Sequence, residues 1–207
     1  MDNEDNELEI PVLSYEDIRR HADAFLQQYH PSRNIPVPIE EIIEFQLDIN
    51  IVPLPGLYQG FEVDGFTSSD LKNIFVDDSY NSRPRRYRFT LAHEVGHVVL
   101  HKNVYRKANF GGIQEWKDFI NSISDQGHRW LEYHAYAFGG LILVPREHLQ
   151  RLVDEYVRRI REEGMSLKAN WDFCWDYIAA RLAKDFDVST QVIEKRLEKE
   201  SVKEQYR

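Results

Sequence analysis

A single cysteine, Cys174, leaves this 207-residue sequence without an intramolecular disulfide and without a paired-thiolate metal knuckle. It sits between aromatics in N-W-D-F-C-W, where a buried packing role is expected rather than a nucleophilic one. Long apolar runs are missing too: no stretch approaches the roughly 18 apolar residues that cross a bilayer, so no membrane segment is expected. The start, M-D-N-E-D-N-E-L-E-I, has no basic region followed by an apolar one, so no export signal is expected and the chain reads as cytoplasmic. Positive charge is in deficit, with 26 Lys and Arg against 35 Asp and Glu and a net charge of -9. Such a chain is repelled by phosphate backbones and anionic membrane surfaces, so no direct nucleic-acid partner is expected. Repeats and low-complexity tracts are absent as well.

What is present suffices for one core, with 42% hydrophobic and 13% aromatic residues. The expected organisation is a flexible acidic stretch over 1–10, a single domain over 11–200 and a loose polar tail over 201–207. Tyr15, Ile18, Ala22, Phe25 and Tyr29 recur at helical spacing before Pro31, and Pro38 opens a second helix through Phe45. Runs rich in β-formers follow at 50–54, 60–66 and 72–77, and the turn D-D-S-Y-N-S-R-P ends them. Helical periodicity then returns over 85–101, 113–123, 129–143, 146–163, 170–185 and 189–200. The fold class is therefore α+β: a mostly helical domain with a small, mainly antiparallel three-stranded sheet.

The chemistry concentrates in H-E-V-G-H. On a helix, His93 and His97 differ by about 40° and lie one turn apart, so two imidazoles can grip one ion. Glu94 is turned about 100° from His93, which suits a general base better than a ligand. Phe89, Leu91, Ala92, Val95, Val98, Val99 and Leu100 surround the three polar residues, and a buried ionisable trio without partners is costly. Gly96 gives up helix propensity, which is tolerable where another backbone or a substrate passes close. A hydrolytic zinc site takes three protein ligands and leaves one position open. His101 lies about 12 Å along the axis from His93 and cannot reach the same ion, so it reads as a supporting or capping group. Glu132, at the start of the apolar helix L-E-Y-H-A-Y-A-F-G-G-L-I-L-V-P, is the better third candidate; His134 is its rival, about 200° around the same helix.

The run R-F-T-L-A-H-E-V-G-H-V-V-L-H, followed by E-Y-H-A-Y-A-F, resembles the ImmA/IrrE family of metallo-endopeptidases. The likeness extends to P-V-P-I-E-E-I-I-E, I-F-V-D and the ending F-D-V-S-T-Q-V-I-E-K-R-L. It implies a zincin-like fold, with His93, His97 and Glu132 as ligands of Zn2+ and Glu94 as base; a His2Glu set of this kind also accepts Mn2+ or iron. It also implies a helix-turn-helix repressor as protein substrate. Gly139 and Gly140 replace the family's usual Ala-rich pair, and Tyr136 stands where Asn is common.

Tyr133, Tyr136, His128 and His134 all lie close in sequence to Glu132, and any of them could supply the group that stabilises an oxyanion. An extended substrate is expected along the sheet edge near Ile74 to Val76, and the stretch from Lys102 to Arg129 is expected as a lid or as a plain insertion. Two rival functions remain. The ending at 185–200 also fits a helix-turn-helix DNA-binding regulator, although Gln191, Glu194, Lys195 and Glu198 on its outer face suit phosphates poorly. The other is an inactive, metal-bound, antitoxin-like partner protein. Oligomeric state is not legible.

Overall fold

The computed structural model describes residues 10–78 and 82–207. The acidic stretch over 1–9 and the middle of the turn after Asp77 lie outside the described residues.

Ser14 starts α1 (Tyr15–Tyr29) through a reciprocal capping box with Asp17. α2 (Ile39–Glu41) runs on into a π-helical turn over Ile42–Gln46. Then come β1 (Asn50–Pro53), α3 (Leu57–Phe61), β2 (Gly65–Thr67) and β3 (Asn73–Val76). Helices follow: α4 (Pro84–Leu100), α5 (Lys102–Lys107), α6 (Ile113–Ser122), α7 (Asp125–Leu143), α8 (Arg146–Glu162), α9 (Trp171–Asp185) and α10 (Thr190–Lys199). The fold is thus α+β and mainly helical.

The sheet is mixed rather than mainly antiparallel, in the order β1-β3-β2. β2 pairs antiparallel with β3, but β1 pairs parallel, because α3 carries the chain across between β1 and β2. Of the expected strand at 60–66, Gly60 and Phe61 end that helix, 62–64 are irregular and only Gly65 and Phe66 are strand. Gly56 and Glu62, both left-handed at φ 77° and 59°, open and close its single turn, so strand geometry begins only at Gly65. β3 is the central strand and has no free edge, which removes Ile74 to Val76 as a substrate edge; on this side the open edge belongs to β2.

α4 and α7 cross at the centre of the core, with α1 packed against α7. Leu91, Ala92 and Val95 of α4 face Phe138 and Ile142 of α7 within a cluster that also takes Phe25, Ile42 and Ile74. Lys102 to Arg129 is neither loop nor bare insertion. α5 and α6 build a satellite core from Val104, Tyr105, Phe110 and Phe119 against Leu71 and Leu131. Cys174 is buried, its Sγ 3.6 Å from the Met165 Sδ. The C-terminal tail is docked rather than loose: the Tyr206 hydroxyl bonds Asp154, and its ring lies against Trp175.

A buried ionic knot holds α10 in place. The Arg196 guanidinium donates to the Val144 carbonyl at 3.1 Å and to Glu200 at 2.6 Å, and Arg19 reaches Glu200 at 3.1 Å. The Arg196 and Glu200 side chains are only 4% and 2% exposed. Replacing Glu200 by Gln leaves buried guanidinium charge unbalanced and is expected to cost about 3 kcal/mol in urea denaturation at neutral pH. Burial alone would raise the Glu200 pKa, but Arg196 and Arg19 bring it below the ordinary carboxylate value of 4.5. Its contribution is therefore fully present above that value and lost as pH falls through the folded-state pKa. The variant is expected to have the shallower acid limb.

Candidate metal centre

Pro84 at the first turn pre-sets the backbone of α4, and the helix carries His93, Glu94 and His97 inward to the crossing with α7. Ser124 caps α7 by accepting from the Gly127 amide, starting that helix a turn before the expected Arg129 and setting Glu132 opposite the two histidines. The His93 and His97 Nε2 atoms are 3.1 Å apart. Glu132 Oε2 lies 3.4 Å from the first and Oε1 3.7 Å from the second. In a tetrahedral zinc site, bonds of 2.0–2.1 Å put the donor atoms about 3.3 Å apart, so this triangle matches one in size and in chemistry. The residues present fit a divalent metal.

Glu94 also belongs to the cluster: donor atoms of His93, Glu94 and His97 lie within 4.8 Å of one another. Its Oε2, however, accepts a hydrogen bond from the Thr67 hydroxyl at 2.8 Å, which holds the carboxylate beside the triangle rather than in it. Burial pushes the Glu94 pKa up to about 7, against the pull of His93 and of Thr67. Burial would raise Glu132 too, but the His93 and His97 rings reverse this and hold it well below the usual carboxylate range. Burial opposes protonation of His93, yet the Glu132 carboxylate wins and raises its pKa; His97, buried and beside His93, is held well below the ordinary value.

These groups sit in a cleft of about 630 Å³. His128 and Tyr136 line it, one turn to either side of Glu132 on α7. The Tyr136 ring is held between Phe89 and the Lys195 ammonium, and His128 Nε2 lies 3.9 Å from Glu132. Tyr133 and His134 do not reach the cleft. Tyr133 is turned about 100° from Glu132 and lies with Trp130 and Lys199 in a separate groove, and His134 is fully buried against His101. Neither can touch a substrate at the triangle. His101 caps the end of α4 and packs behind His97.

The sequence reading missed three groups. Thr67 steers Glu94 from 27 residues away. Tyr105 packs its buried ring 5.4 Å from His97, and Trp116 closes the same side of the cleft against Phe66. No local pattern announced them. The far wall comes from the start of α10, where Ser189, Gln191 and Val192 line the cleft. The helix-turn-helix-like ending thus shapes this site and packs Ile193 and Leu197 into the core.

Among the described residues no helix is long and apolar enough to cross a membrane. No curated protein matches the chain. A family model does, over residues 46–198, a span that contains His93, His97, Glu94, Glu132 and all but the last residue of α10. With the triangle and its neighbouring carboxylate inside a match that covers well over half of the sequence, the chain belongs to the Peptidase_M78 family, the IrrE N-terminal-like domain.

Proposed function

We propose that the protein is a zinc-dependent endopeptidase of the cytoplasm that cleaves a helix-turn-helix transcriptional repressor. The observation that carries the hydrolytic part is the donor triangle of His93, His97 and Glu132 with a separately tethered carboxylate beside it. His93, His97 and Glu132 hold the ion, and Mn2+ is the alternative occupant of such a set. A bound ion of this kind polarises a carbonyl and acidifies a water. Glu94, its carboxylate oriented by Thr67, receives a proton and passes it to the departing amine. Tyr136 and His128, both in the cleft, are the groups placed to stabilise an oxyanion.

The substrate strand has a partner in β2. The Asp77 amide donates to Asp64 and the Ser68 amide to Asn73, so the residues between, Gly65 and Thr67, turn their peptide groups away from β3. They form an edge beside Glu94 on which an extended peptide can pair through the Gly65 amide and carbonyl and the Thr67 carbonyl, the Thr67 amide being directed at Glu94. The DNA-binding alternative loses ground here, because Gln191 belongs to the cleft wall while the outer face of α10 carries Glu194 and Glu198.

The test is incubation of zinc-loaded protein with the repressor encoded beside it. Discrete fragments from the wild type and none from Glu94→Gln are expected; equal cleavage by both, or none by either, refutes the proposal. A salt-dependent shift of duplex DNA at micromolar protein would favour the regulator instead.

A further inference from the structure

Behind the cleft, three imidazoles stand in single file. His97 Nδ1 meets His101 Nδ1 at 3.1 Å, and His101 Nε2 meets His134 Nδ1 at 3.1 Å. At the far end the Leu13 backbone amide donates to His134 Nε2 at 3.2 Å. His97, His101 and His134 are 3%, 1% and 0% exposed. Full burial disfavours a charged ring, and each link of the file pairs one donating nitrogen with one accepting nitrogen, so each ring is neutral and carries one N–H.

A backbone amide can only donate, so it fixes the direction of the file. With Leu13 donating, His134 carries its hydrogen on Nδ1 and donates to His101 Nε2. His101 then carries its own on Nδ1 and donates to His97 Nδ1. His97 is left with its hydrogen on Nε2, facing His93 and Glu132. Ligation through that nitrogen needs the opposite tautomer, with the hydrogen on Nδ1. His101 must then carry its hydrogen on Nε2, and so must His134, which places two donors face to face at Leu13.

We propose that His101 and His134 are positioning residues that couple the metal centre to the segment preceding α1: the Leu13–His134 hydrogen bond and ligation through His97 Nε2 exclude one another. The inference rests on the reading of His97 as a ligand. Proton balance is kept. Solvent takes one hydrogen from His97 Nε2 and supplies one to His134 Nε2. Between them, hydrogens move from His101 Nδ1 to His97 Nδ1 and from His134 Nδ1 to His101 Nε2. The mismatch falls at Leu13 rather than between the rings because His101 and His134 are clamped, stacked at 5.4 Å across the α4–α7 crossing. Leu13 instead follows the exposed Val12 on the approach to α1.

The test is amide hydrogen exchange at Leu13, with ring nitrogen shifts of the three histidines, in chelated protein and after adding zinc. Zinc is expected to speed Leu13 exchange about tenfold or more and to move the His97 hydrogen from Nε2 to Nδ1, while the amides of α4 gain protection. Unchanged or stronger Leu13 protection in zinc-loaded protein overturns the coupling but leaves the ligand reading intact; failure to take up zinc overturns both. Leu13→Pro removes the donor together with a partly buried side chain and, folded, is expected to bind zinc about tenfold more tightly than the wild type, since it has no hydrogen bond to give up. Equal or weaker binding by the folded variant also overturns the coupling.

Discussion

Glu94→Gln is expected to lower peptide hydrolysis by roughly 10²–10⁴-fold while leaving zinc uptake unchanged. The side chain is 4% exposed and anchored by Thr67, and Gln has the same shape and can still accept the 2.8 Å hydrogen bond from that hydroxyl. It cannot take a proton. Because the donor triangle is complete without Glu94, binding and turnover should separate cleanly, measured by metal content and peptide cleavage on the same preparation. His97→Ala, which removes a corner of the triangle, should lose both. A second readout follows from the pKa. Burial raises Glu94 to about 7, so in chelated protein the folded state favours the neutral carboxyl and stability falls as pH rises from 4.5 through about 7. Chelated Glu94→Gln should therefore be more stable than chelated wild type at pH 8 and no more stable under acid. The same stability at pH 8 would show that the carboxylate carries no desolvation strain.

The parts legible in the sequence are those that a single helix can encode. The apolar period located α1, α4, α6 and α8 to α10 closely and α7 to within a turn at its start, and the spacing of His93 and His97 placed two imidazoles side by side. The separation of Glu132 from His134 around α7 anticipated that only one could face the two histidines, and the structure sets Glu132 opposite them and His134 behind. The parts that were not legible depend on what comes to face what. Nothing in G-F-T-S-S announces that Thr67 will meet Glu94, or that β1 will pair parallel with β3 across one turn of helix held by two left-handed residues. Tyr105 and Trp116 follow the motif with no period linking them to it, and the satellite core around Phe110 and Phe119 turns Tyr105 toward His97 and Trp116 onto Phe66. Gly96 is the intermediate case: its low helix propensity signalled a close approach but not the partner.

That partner is the backbone of Ala135, and Gly96→Ala is expected to be costly. A Cβ at position 96 would lie 2.8 Å from the Ala135 Cα and 3.0 Å from its carbonyl oxygen, atoms that cannot swing aside as a side chain can. Gly139 makes the reciprocal approach, where a Cβ would meet the His93 nitrogen at 3.1 Å. α4 and α7 must therefore part, and the gaps of 3.4 and 3.7 Å between Glu132 and the two histidines must widen. Two terms oppose in stability: overpacking costs about 1–3 kcal/mol, and Ala regains about 1 kcal/mol of helix propensity. The net loss in Tm should be modest. Zinc affinity has no such offset, because the propensity gain is the same with and without metal and cancels, leaving only the displaced carboxylate. Affinity is expected to fall by about tenfold or more. Gly111→Ala, whose methyl meets nothing within 4 Å, should leave metal binding untouched. Wild-type zinc affinity in Gly96→Ala would mean that the two helices can separate without moving Glu132, and that the glycine serves the fold alone.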